Sequence, residues 1–210
     1  MIILAPLIHI TVGYGPYFSV NGTTEMYAVM GPTSVEDGQV YFEELAERIA
    51  LHEFIHSYVN PLTDKYFEEN PESRSEMEPL MAPIFEKMRT MAYGVLEAMI
   101  NEHIIRAIEC FIGERYYGMP AIKELERQEQ IGFIYIKHVY ELIEEYYAKR
   151  KKVSFNEYHQ KIMILFKRLA EEVKVKEYSM VLIILIIIIV VTLLLLKGRR
   201  KIKQIGASES

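Results

Sequence analysis

The chain has 210 residues, a single cysteine (Cys110) and no tryptophan. One thiol excludes an internal disulfide and any cysteine-built metal site. A basic excess is also missing, since 24 Lys and Arg stand against 29 Asp and Glu, a formal net charge of −5. Nucleic-acid surfaces need concentrated positive charge, and the 15 Tyr and 9 Phe are not interleaved with Arg and Lys as in a stacking groove. No nucleic-acid partner is expected. Without internal repeats or low-complexity stretches, solenoid and fibrous architectures drop out too. Histidine is scarce, at six residues, so the close spacing of two of them is informative.

Those two stand in His52-Glu53-Phe54-Ile55-His56, an HExxH motif. On a helix, residues four apart share a face, so His52 and His56 can present two imidazole nitrogens to one metal ion. Glu53 then points beside the metal, where it can take a proton from a water held there. In a chain with 6 His and 27 Glu, a chance match is expected at about 0.02. The surroundings favour a site. Tyr41 to Tyr58 reads as one helix closed by Asn60-Pro61. At about 100° per residue, both histidines continue its apolar stripe of Phe42, Leu45 and Ile49, away from Glu44, Glu47 and Arg48.

Zinc needs a third protein ligand and one open position. The residues after His56 contain no third histidine at the short spacing, so a carboxylate on a later helix is expected. Pro83 to Phe111 reads as that helix, and Glu86, Glu97, Glu102 and Glu109 compete on it. Glu102 falls on the stripe of Met88, Met91, Val95 and Met99, whereas Glu97 points away. A carboxylate on a core face is costly unless paired or metal-bound. Arg106, one turn on, is placed to pair with Glu102 and orient it. Glu109 shares the face and is the main rival, and a Glu102–Arg106 ion pair without metal is the plain alternative.

Three segments carry a resemblance: His-Glu-Phe-Ile-His-Ser-Tyr-Val-Asn-Pro at 52–61, Asn-Glu-His-Ile-Ile-Arg-Ala at 101–107 and Gly-Phe-Ile-Tyr-Ile at 132–136. In this order and spacing, over roughly residues 7–170, the chain resembles an uncharacterised prokaryotic domain-of-unknown-function family with an HEFxH…NP motif. That family lies in the gluzincin-like branch of the zincin metallopeptidase clan. The resemblance implies His52 and His56 as metal ligands, Glu53 as base and Glu102 as third ligand. It implies no particular substrate.

The expected fold class is α+β and predominantly helical, a zincin-like domain with a small N-terminal sheet followed by one C-terminal transmembrane helix. Strands are expected at Leu7–Val12, Tyr17–Val20 and Glu25–Met30, with turns at Gly13–Pro16 and Asn21-Gly22. Helices are expected at 41–59, 83–112, 121–129, 131–151 and 155–176, with Asp64–Pro79 as a polar loop. Ser154-x-x-Glu157 reads as a capping box. The strand before the motif helix, placed at Tyr27–Met30, is expected to offer an exposed edge to an extended peptide. Residues 1–176 form the metallopeptidase domain in this reading, 178–196 the transmembrane helix and 197–210 a basic tail.

From Met180 to Leu196 there is no charge and one hydroxyl. With Tyr178 as an interfacial aromatic, the run has about 19 residues, enough for about 30 Å of hydrocarbon, and membrane lipid is the expected partner there. The flank Lys197, Arg199, Arg200, Lys201 and Lys203 favours a cytoplasmic tail and an extracytoplasmic domain. Met1 to Ile10 has no basic n-region and is broken by Pro6 and His9. Either an upstream signal precedes this start, or the domain is tail-anchored and faces the cytoplasm. The basic tail is also suited to anionic headgroups.

Two functions follow. The first is a membrane-anchored zinc hydrolase, a metallopeptidase acting on a peptide or protein, with Zn2+ as cofactor and Tyr135 or His138 as oxyanion donor by residue type. The second is a non-catalytic membrane-tethered helical scaffold with an inert or structural metal site.

Overall fold

The structure is a computed structural model that describes the backbone of residues 1–21 and 23–208, and side chains to residue 192 apart from residues 19, 24 and 44. Seven short strands come first: β1 (Ile2–Leu4), β2 (Gly13–Tyr14), β3 (Tyr17–Val20), β4 (Thr23–Met26), β5 (Ala28–Met30), β6 (Ser34–Glu36) and β7 (Gln39–Tyr41). They make one three-stranded sheet, ordered β1-β5-β2, and two hairpins. The helices α1 (Glu44–Glu69), α2 (Ser73–Met77), α3 (Phe85–Thr90), α4 (Leu96–Tyr117), α5 (Ala121–Ile131), α6 (Ile136–Lys149) and α7 (Phe155–Ser208) follow. This is the expected α+β, mostly helical chain with a small N-terminal sheet and one long apolar C-terminal helix.

α1 is the centre of the architecture. One side packs on β5 and β2 through Ala46, Ala50, Ile49 and Phe54 against Ala28 and Met30. The other side packs on α4, with α6 and α7 behind it around Met99, Ile104, Phe133, Ile162 and Phe166. A motif on α1 therefore faces α4 with a strand at its back.

Several boundaries differ from the sequence expectation, each for a tertiary reason. α1 runs through Pro61 to Glu69. A mid-helix proline costs roughly 3 kcal/mol, but Val59, Thr63, Tyr66 and Phe67 beyond or beside it are all buried, and their burial outweighs that cost. Asp64–Pro79 is accordingly helical, except for a short link before α2. The helix expected over 83–112 breaks at residues 91–95, where Ala92 takes a left-handed φ of 66°. Leu7–Val12 is a pair of turns instead of a strand, with Thr11 donating its backbone N–H to the Pro32 carbonyl at 2.8 Å and taking φ 59°. Tyr17–Val20 is a strand as expected, while Glu25–Met30 is interrupted at Tyr27.

The expected peptide-accepting edge also moves. β5 lies in the middle of its sheet, parallel to β1 and antiparallel to β2, so both its edges are taken. Edge positions fall to β1 and β2, and β2 is the one beside α1.

At the other end of the chain, the capping box forms: the Ser154 N–H donates to Glu157 Oε2 at 2.8 Å and the Glu157 N–H to Ser154 Oγ at 3.3 Å. α7 then continues without a break from the core into the apolar run, and one helix is long and apolar enough to cross a membrane.

Candidate metal centre

His52 and His56 leave α1 one turn apart, and Glu102 meets them from α4. The Nε2 atoms of the two histidines lie 3.1 Å apart. Glu102 Oε1 is 3.2 Å from His56 Nε2 and 3.6 Å from His52 Nε2. A tetrahedral ion with bonds of about 2.0–2.1 Å has donor–donor edges of about 3.3–3.4 Å. These three atoms are therefore spaced as one face of such a tetrahedron, and they form a group able to hold a metal ion.

Each donor is held from behind. Glu109 Oε1 sits 3.3 Å from His52 Nδ1, and Asn60 Oδ1 accepts from His56 Nδ1 at 3.2 Å. Arg106 donates from Nε to Glu102 Oε2 at 3.1 Å. Its guanidinium lies 4.4 Å over the Phe133 ring and donates to the Tyr93 hydroxyl at 3.4 Å. Such outer partners fix tautomer and direction, and this pattern leaves Nε2, Nε2 and Oε1 free to converge. Glu109, the rival third ligand on sequence grounds, thus bonds the far nitrogen of His52 instead of joining the group. Asn60, read as a helix terminator, lies one turn after His56 and turns its side chain to that ring.

Glu53 is buried beside this group. Gly13-Tyr14-Gly15 covers it: a Cβ on Gly13 would run into the Glu53 carboxylate, and one on Gly15 into the Glu53 backbone carbonyl and within 3.1 Å of His56 Cβ. Only glycine allows the β2 backbone so near the motif helix. Gly15→Ala should push β2 off α1, cost about 1–3 kcal/mol and weaken metal binding as His56 shifts. Chelator-treated and metal-loaded melting curves read the two effects separately, and unchanged curves would remove β2 from the site.

Charge suits this group to a cation. Glu53, Glu102 and Glu109 are three carboxylates against the one guanidinium of Arg106. Burial raises the Glu53 pKa, His52 and His56 draw it down, and Glu102 and Glu109 push it up again. Burial likewise opposes the charge on Glu102, yet bonds to His52 and His56 and the field of Arg106 hold its carboxyl well below the usual range. For His52, burial disfavours the imidazolium, but Glu102 and Glu109 outweigh it and raise the pKa to about 10. A raised histidine pKa stabilises the metal-free fold fully below the ordinary value near 6.5, and that contribution fades as pH rises through about 10. With both imidazoles neutral the group carries two net negative charges, which a proton on His52 or a dication would offset.

A cleft of about 750 Å³ opens from His52 and Glu53 along α1, α4 and α5. Apolar Val12, Leu45, Ile49 and Ile112 line it together with Arg48 and the Arg127–Glu124 ion pair. Neither oxyanion candidate reaches this cleft. Tyr135 is buried, and its hydroxyl donates to the Leu80 carbonyl at 2.9 Å, with the ring against His103 and Phe166. His138 is exposed on α6 and lines a separate groove with Leu142, Lys161, Ile164 and Arg168. Tyr93, which sequence reasoning passed over, lines the cleft beside Arg106. Its signal was weak, because the break that delivers it falls inside what reads as one helix.

The three segments singled out in the sequence meet at this point. Motif helix 52–61 and segment 101–107 supply the converging atoms and Arg106, and Phe133 of segment 132–136 supports the Arg106 guanidinium. Residues 1–165 match the family described as Domain of unknown function (DUF4932). The chain belongs to that family. No curated protein and no solved structure matches it. The DUF4932 match spans the sheet, α1 to α6 and the start of α7, so it contains every residue of the candidate centre.

Proposed function

We propose that this DUF4932 protein is a membrane-anchored, zinc-dependent hydrolase of the gluzincin-like type, acting on peptide bonds. The observation that carries the reading is the convergence of His52 Nε2, His56 Nε2 and Glu102 Oε1 at tetrahedral edge spacing, with Glu53 buried alongside. Two imidazoles and a carboxylate are a donor set suited to zinc. When bound, zinc supplies a Lewis acid that lowers the pKa of a water and polarises a carbonyl.

The residues of the chain do the rest. Glu53 takes the water proton at its carboxylate and returns it to the departing amine, aided by a burial-raised pKa. Gly13 to Gly15 hold Glu53 in place and keep bulk water from its buried side. The outer edge of β2 has no strand partner among the described residues, and an extended peptide adding there would lie over Glu53. Tyr93 replaces Tyr135 and His138 as donor to the developing oxyanion. Burial, followed by the Glu102 charge, raises its pKa and keeps the phenol protonated. Anchoring is assigned to residues 178–196, consistent with the exposed apolar surface of α7 from Met180 to Val191.

The test is metal content with activity on one sample of the full chain in detergent. About one zinc per chain and chelator-reversible peptide hydrolysis are expected. A chain that carries no metal, and melts identically with and without chelator, is a tethered scaffold instead.

A further inference from the structure

Helix packing sets the distance along α7 between the candidate centre and the apolar run. α6 and α7 form an antiparallel hairpin, with Tyr146 on Phe155 at 5.4 Å and the Tyr158 hydroxyl on Glu145 at 3.0 Å. α4 runs alongside α6 in the same direction, since His103 meets Tyr135 while Tyr140 bonds Glu114 and Tyr147 meets Tyr116. His103, next to Glu102, also meets Phe166 of α7 with ring centroids 6.2 Å apart. Glu102 is thus level with Phe166 along α7. From Phe166 to the interfacial Tyr178 is twelve residues of helix, about 18 Å at 1.5 Å per residue.

That distance is fixed. Tyr158, Ile162, Met163, Phe166, Leu169 and Ala170 bury one face of α7 in the core. Beyond Ala170 the same helix runs on through Glu171–Glu177 to the apolar segment, with neither proline nor glycine before Gly198. A two-turn helical connector of this kind sets spacing, where a Gly/Ser linker would leave it free. The cleft points the other way. Its α4 wall runs from Arg106 to Tyr117, which the packing of α4 on α6 and of α6 on α7 places on the membrane-distal side of Glu102. The candidate centre stands at the membrane-facing end of its own cleft.

We infer that the substrates are membrane proteins cut close to the bilayer, in an extended segment about five residues from a membrane-spanning helix. An extended chain rises about 3.3 Å per residue, so five to six residues bridge 18 Å. A chain rising from the bilayer reaches the converging donors first and lays its outward part in the cleft. This rests on the hydrolase reading and on α7 as the membrane anchor.

The experiment uses the full chain in vesicles of phosphatidylcholine and phosphatidylglycerol. Its substrate is a single-span peptide with an extended juxtamembrane segment, and mass spectrometry reads the cut positions. Wild type should cut about five residues from the span. Eleven extra helical residues after Lys174, three full turns, should move the cut outward by about five residues. Replacing 171–177 by a Gly/Ser linker should spread the cuts. A second readout needs no activity: energy transfer from a dye on Tyr58→Cys, in a Cys110→Ala background, to a headgroup-labelled lipid. The eleven-residue insertion should lengthen that distance by about 16 Å. Cut positions that ignore the insertion, while soluble peptides are still hydrolysed, overturn the inference alone. Unchanged energy transfer overturns the fixed height. Failure to cut soluble and tethered peptides alike overturns the hydrolase reading, and this substrate class with it.

Discussion

Glu53→Gln should purify with zinc bound and with peptide hydrolysis reduced by about 10²–10⁴-fold, the usual effect of removing a general base. Glu53 is not among the three converging donor atoms, so its loss as a base leaves the coordination geometry in place. Glutamine keeps the shape that Gly13 and Gly15 pack against, and it removes only charge and basicity. One negative charge fewer will weaken zinc modestly, which is why content and rate must be read on the same preparation. A Glu53→Gln protein that holds zinc and retains full activity would remove Glu53 from the mechanism. Glu53→Ala is the poorer test, since it opens a cavity beneath the β2 backbone.

How much of this centre was legible in the sequence depends on how local its determinants are. His52 and His56 are four apart on one helix, so periodicity alone placed them together. Glu102 was harder. The stripe used to select it ran through Met88, Met91 and Val95, which lie across the break at 91–95, and Val95 is exposed. The part of that argument inside α4 stands by itself: Met99 is buried one turn before, and Arg106 bonds Glu102 one turn after.

What the sequence did not display were the long-range choices. Proline at 61 signals an end to α1, and only burial of Tyr66 and Phe67 against distant helices carries the helix onward. Pairing order within a sheet has no local signature, so β5 was expected at an edge and lies at the centre. Glycines at 13 and 15 read as turn residues, and their close approach to Glu53 appears only once β2 meets α1. Tyr135 and His138 were chosen by residue type, and residue type carries no direction.

The contrast between Glu102→Ala and Glu109→Ala should separate a ligand from the group that orients one. Glu102→Ala removes one of three donors, and zinc affinity should fall by orders of magnitude because two protein ligands seldom suffice. It also strands Arg106, whose side chain is largely buried. Removing one partner of a buried pair costs about 3–5 kcal/mol. Arg106 keeps its stacking on Phe133 at 4.4 Å, which places the cost near the lower end, about 3 kcal/mol. That loss should appear in denaturant unfolding with chelator present, where no metal contributes. Glu109→Ala frees only His52 Nδ1, 3.3 Å away. Loss of such an outer partner typically weakens metal affinity by about 10–100-fold. The metal-free protein should lose less stability than with Glu102→Ala, because Glu109 is partly exposed and leaves no buried guanidinium alone. Glu102→Gln restores an oxygen toward the metal and an acceptor for Arg106, so it should recover part of both losses, whereas Glu109→Gln should recover the orientation of His52. Should zinc binding survive Glu102→Ala and vanish with Glu109→Ala, the third ligand is Glu109, and the convergence at Glu102 Oε1 is an ion pair around a protonated histidine.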